Sequence, residues 1–194
     1  MDQTPPEAGA LTSAMGYLEY RLLPLDRALM PGEMPKVLDY WDRLRGDRFA
    51  PTWPEFKLYD LPPSLLPMTV VVDVLGGDDP AAARYVYRFW GTRRAELMGQ
   101  ENMGREVRDA LPDRSGPIIA EQYGLAVKAR APLLFRNLYP FKPAEAAVCI
   151  TFRLPIAATD GQAVDKIVTC AIMDNPKAYA EFASASNPPP ANRP

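Results

Sequence analysis

The chain has 194 residues, 47% of them hydrophobic and 24% charged, with 22 Lys and Arg against 24 Asp and Glu and no histidine. A net charge of −2 argues against broad nucleic-acid binding, which relies on an excess of cations over phosphates, and no apolar run reaches the length of a membrane span. Without histidine there is no Ser-His or Cys-His nucleophile pair, no His-ligated haem or zinc and no phosphohistidine.

Residues 1–14 are polar and proline-containing and are expected to be disordered. They lack the basic start and apolar core of a secretory signal, so a soluble cytoplasmic protein is expected. Met15–Met30 is a weakly amphipathic stretch interrupted by Pro24, with Asp26 placed to cap a short turn. Residues 1–34 thus read as a flexible or helical extension. Pro35–Arg45 is a clearer helix, with Pro35 in its first turn and Gly46 just past its end. Val37, Leu38, Trp41 and Leu44 form its apolar stripe. The core or a second copy of the helix could cover that stripe, which makes Val37, Trp41 and Leu44 candidate homodimer contacts. Prolines 51, 54, 62, 63 and 67 then forbid a long helix or a central strand across Arg48–Pro67.

Met68–Leu75 is a β-branched, buried strand. Gly76–Pro80 is a turn, in which Asp78 and Asp79 fit turn chemistry better than metal binding. Tyr85–Gly91 is the next strand. Strict alternation puts Tyr85, Tyr87 and Phe89 on one face and Val86, Arg88 and Trp90 on the other. Gly91 stops the strand, Thr92 is placed to cap a short helix, and Gly99 is placed to end it in the left-handed region. A short turn or helix is expected within Met103–Asp113, and a longer helix over Ser115–Arg130 with Ile118, Ile119, Tyr123, Leu125, Ala126 and Val127 as its apolar face.

Three strands follow: Leu133–Tyr139, Ala146–Ala157 and Ala163–Met173, the last two joined at Asp160–Gly161. In the middle strand Val148, Ile150, Phe152 and Leu154 share a face. Residues 176–194 read as a turn and a disordered tail, with the domain itself over 35–175. Cys149 and Cys170 lie in apolar strands and read as buried free thiols more readily than as a disulfide.

The order helix, two strands, short helices, one longer helix, three strands is that of an α+β PAS domain. Such a domain has a five-stranded antiparallel sheet in the order 2-1-5-4-3, with helices across one face. Local segments resemble the PAS_5 family of bacterial single-domain PAS-like proteins. Val37–Trp53 is similar to its WxxLRGxRxxP opening helix, Tyr85–Gly99 to its strand–glycine–helix segment, Gly99–Arg105 to its GxDxTGR turn, and Phe152–Val168 to its final hairpin. Met103 and Trp90 depart from that pattern. The resemblance implies a sensory or interaction module that signals through protein contacts, with a possible small-molecule ligand, a protein partner or a homodimer. It does not imply a catalyst.

The expected cup is lined by Tyr85, Tyr87, Phe89, Tyr123, Phe135, Phe152 and Met173. These side chains could equally fill a dry core. Arg93 and Arg94 open a short helix, where the dipole disfavours cations. With Thr92 they form a candidate anion site, or else they are exposed solubilising residues beside Glu96 and Glu101. No metal site is expected and the cofactor is unspecified. Haem is disfavoured by the missing histidine, and a covalent flavin by the position of both cysteines on late strands. An enzyme would have to use Asp73 or Asp165, the acids inside strand-like runs.

Overall fold

The computed structural model describes residues 19–76, 82–111, 115–142 and 145–174. The expectations for residues 1–14, Asp78–Asp79 and 176–194 lie outside the described residues. The strands are β1 (Glu19–Leu23), β2 (Val70–Leu75), β3 (Arg84–Trp90), β4 (Leu133–Lys142), β5 (Glu145–Ala157) and β6 (Val164–Met173). The helices are α1 (Met34–Arg45), α2 (Thr92–Met98), α3 (Val107–Ala110) and α4 (Ser115–Ala129).

All strands join one six-stranded sheet in the order β1-β4-β5-β6-β2-β3, every pair antiparallel. Read from β3 inward and with β1 set aside, this is the 2-1-5-4-3 order of a PAS-like α+β fold. The added strand corrects the expectation of a helical or flexible extension. Glu19–Leu23 pairs with Leu138–Leu134, and Tyr20 packs edge-on against Phe135 with centroids 5.8 Å apart. Asp26 does cap a turn, accepting a hydrogen bond from the Ala28 amide at 2.9 Å.

Both faces of the sheet are covered. The front carries α2, α3 and α4 over Val70, Val72, Tyr85, Tyr87, Trp90 and Ile167. The back carries α1 and the proline-rich coil that follows it, over Val71, Phe152, Leu154, Ile156, Val168 and Cys170. Two glycines on the front are there for close approach. A Cβ on Gly91 would lie 2.3 Å from the Pro67 carbonyl, and one on Gly116 would lie 2.3 Å from that of Arg108. They let α2 start against the Leu66–Met68 turn, and α4 start against α3.

The stripe on α1 is spent on this chain's own back face, which corrects its assignment to a homodimer contact. Val37 is fully buried, Trp41 is 2% exposed, and Leu44 packs half-buried on the same cluster. The Trp41 indole N–H donates to the Pro155 carbonyl at 2.8 Å, tying α1 to β5. The coil after α1 is fixed by Glu55. Its carboxylate takes two hydrogen bonds from Arg48 at 2.9 Å, one from the Thr52 amide at 2.8 Å and one from the Thr52 hydroxyl at 2.7 Å.

Trp41→Ala should cost about 3–5 kcal/mol in urea unfolding, without changing the mass measured by light scattering. A stability change near zero would contradict the burial. Hydrogen bonds from Arg48, then from Thr52, hold the Glu55 carboxyl down to about 2, against an ordinary value of 4.5. A depressed carboxyl stabilises the fold above its unfolded value and loses that contribution as pH falls toward the folded one. The stability gap between wild type and Glu55→Gln should therefore be full at neutral pH and shrink between about pH 4.5 and 2. A gap independent of pH would sink the assignment.

Candidate functional site

The front face is shaped by an irregularity in β3. Val71 pairs with Phe89 and Val72 with Tyr87, so Arg88 is the extra residue of a β-bulge. The bulge inverts alternation from that point. Phe89 joins the back cluster, and Trp90 joins Tyr85 and Tyr87 on the front. Trp90 then packs edge-on against Tyr87, with centroids 4.7 Å apart.

The middle of that face is polar. In β5 the residues alternating with the apolar back-face set are Cys149, Thr151 and Arg153. Register places Arg153 opposite Thr169, and Cys149 opposite Asn137. Arg153 is 1% exposed. Its Nη1 donates to Thr169 Oγ1 at 3.0 Å and its Nη2 to Gln122 Oε1 at 2.8 Å. Gln122, on α4, donates to Asn137 Oδ1 at 2.8 Å, and Asn137 donates to Thr151 Oγ1 at 2.9 Å. All five residues are buried. The guanidinium lies 4.0 Å from the centre of the Tyr123 ring and 5.6 Å from that of Phe135.

Arg153 forms no salt bridge among the described residues. The cation–π contact contributes on the order of 2 kcal/mol when desolvated, against a burial cost of several kcal/mol for an ion. Neutral acceptors and two rings, the farther at 5.6 Å, supply no opposite charge to compensate it. A void of about 20 Å³ opens beside the network, lined by Val70, Tyr87, Trp90, Arg94, Tyr123 and Arg153 among others. That is room for a water or an ion of similar size, for which roughly 10–15 Å³ suffices. Two of the lining side chains, Arg153 and Trp90, each have a buried N–H without an acceptor, at Nε and Nε1 respectively.

The expected site residues divide. Tyr87 and Tyr123 line the void. Tyr85 stacks on Tyr123 at 5.3 Å without lining it, and its hydroxyl is buried without a partner. Phe135 faces the front, touching the network from the side of β4. Phe89 and Phe152 lie on the back, so they leave the cup. Thr92 is exposed and is the first residue of α2, not its cap; Gly91 occupies the cap position. Arg93 is exposed and paired with Glu96 at 2.9 Å. Arg94 alone turns inward, 8% exposed, donating to the Met68 carbonyl at 3.4 Å with its guanidinium 5.6 Å from the Trp90 ring. The expected arginine pair is therefore split by helix geometry. Arg153, Gln122, Asn137, Thr151 and Thr169 are not among the expected site residues. Only Thr151 and Arg153 carry a sequence signal, as polar residues alternating inside a strand whose other phase is wholly apolar.

Asp73 and Asp165 are matched by cations on the back face. Asp73 pairs with Arg88 at 2.7 Å and with Lys166 at 3.4 Å, while Asp165 pairs with Lys166. Neither lines the void. Among the described residues no cluster of His, Cys, Asp and Glu could hold a metal ion, and no helix is long and apolar enough to cross a membrane.

No family model and no curated protein matches the chain. Among solved structures, an RNA-binding Light-Oxygen-Voltage receptor aligns at 14% identity and a TM-score of 0.41, over 89% of this chain and 42% of the receptor. The PAS domain of the histidine kinase ThkA aligns at 17% identity and a TM-score of 0.37, over 54% of this chain and 98% of that domain. The PAS-like description rests on strand order, and the narrower likeness to PAS_5 remains one of local motifs.

Cys149 and Cys170 are free and buried. Burial pushes both thiols up to about 11, with Arg94 and Arg153 pulling Cys149 the other way and Thr69 pulling Cys170. Thiolate is the reactive form, so a disulfide-exchange reagent at about pH 8 should titrate neither cysteine in the folded protein and both in denaturant. Rapid labelling of the folded chain would refute this placement.

Proposed function

We propose that the chain is a PAS-like sensory or regulatory domain that binds a small molecule in the front-face cup and passes its state on through protein contacts. The observation that carries this reading is the polar floor of the cup. A dry structural core would be expected to hold apolar side chains there. Instead a buried network converges on a void with two unsatisfied donors. Gln122 ties the network to α4, so occupancy of the cup would bear directly on how that helix is seated. The acting unit is residues 35–175 together with β1, which completes the sheet beside β4. We place it in the cytoplasm. A catalytic role has less support, because Asp73 and Asp165 sit in ion pairs away from the void.

The size of the void, about 20 Å³, favours a second reading: a docking adaptor whose core is filled and whose only ligand is another protein. Native mass spectrometry of the purified chain separates the two. Sensing predicts a non-covalent adduct that disappears on denaturation, or a melting temperature that rises with one class of small molecule. A clean apo mass together with no thermal response to a chemically diverse set would overturn the sensing reading and favour docking.

A further inference from the structure

The two unsatisfied groups on side chains that line the void are both donors, and one belongs to a fixed positive charge. A buried lysine would relieve its burial by releasing a proton, but arginine keeps its charge at any physiological pH. Gln122 and Thr169 give Arg153 only neutral acceptors. Its remaining Nε–H and the Trp90 indole N–H border the same void, with no acceptor for either. Arg94 lines that void as well, from α2. A neutral ligand or a water could accept these hydrogen bonds but would leave the charge uncompensated. A small anion does both.

We infer that the cup takes a small monoanion, a halide or a small carboxylate, seated on Arg153 Nε and Trp90 Nε1, with Arg94 lining the α2 side. This deepens the small-molecule reading above and rests on it. A nucleotide or other phosphate ester does not fit a seat of about 20 Å³ bordered by Tyr87, Trp90 and Tyr123. The same seat suits a free halide or the carboxylate of a small organic acid.

The test is thermal unfolding of the full chain at constant ionic strength, held with a bulky sulfonate buffer. The probes are sodium formate, sodium acetate, sodium chloride and neutral acetamide. A ligand bound only to the folded state raises stability with the logarithm of its concentration. Formate and acetate should raise the melting temperature in this way, and acetamide should not. A rise with chloride alone would still support an anion seat and would name a halide as its occupant. Arg153→Met keeps most of the volume and should abolish the response. Trp90→Phe keeps the ring in place, removes one donor, and should weaken the apparent affinity about tenfold. Because it spares the network, it keeps the test open if Arg153→Met fails to fold.

Equal stabilisation by acetamide and acetate, or an undiminished acetate response in both variants, would overturn the anion assignment while leaving a small-molecule cup intact. No response to any probe would overturn the anion assignment too. Only when joined to the clean apo mass described above would it remove the sensing reading as well.

Discussion

A guanidinium held inside a sheet that is covered on both faces is the constraint from which the rest of the front face follows. An arginine side chain stays cationic, and this one is buried, so its neighbours must supply acceptors. Thr169 does so because β5 and β6 are in register at that point. Gln122 does so from above, which requires α4 to lie with that face toward β5. Asn137 then accepts from the Gln122 amide and donates in turn to Thr151. The chain of partners spans β4, β5, β6 and α4, so the seating of the helix and the pairing of three strands are linked through polar contacts as well as apolar packing.

Much of the fold is legible in the sequence because its signals are local. β-Branched runs mark β2 and β6, and Gly91 and Gly99 bracket α2, with Gly99 at a φ of 65°. What is not legible is anything that depends on counting through an irregularity. Alternation carried Tyr85 and Tyr87 forward to Phe89, but Arg88 is an extra residue, and every side chain after it changes face. Nothing in Tyr85–Gly91 marks the bulge; it is required by the pairing with Val71 and Val72. The same applies to β1. Its five residues are too short to separate strand from helix by pattern, and only the free edge of β4 makes them a strand.

The apolar stripe of α1 raises a different difficulty. A stripe that must be buried does not say against what. Covered by the chain's own sheet, it makes Trp41 a core residue with a hydrogen bond to Pro155; covered by a second copy, it would make a dimer. The strands do carry the deciding information. In β6, Val164, Ile167, Val168, Cys170 and Ala171 are buried on both phases, the pattern of a strand with two covered faces. A sheet with one wet face would have alternated. Two dry faces in turn require a second layer, and α1 with its coil supplies it.

That two-sided burial changes what a polar residue in these strands means. On a half-solvated sheet, Thr151, Arg153 and Thr169 would simply mark the outer face. On a sheet with no outer face over its centre, the same residues point into a second core, and each must be explained by a partner. The aromatics of the cup are accounted for by packing: Tyr85 on Tyr123, Tyr87 on Trp90. Hydrophobic burial alone would place such rings in any core. Arg153 is not accounted for in that way, because apolar side chains of similar volume would serve packing at least as well. The chemistry that distinguishes this cup from a filled interior therefore resides in its polar phase, and the aromatic rings set the walls within which that charge acts.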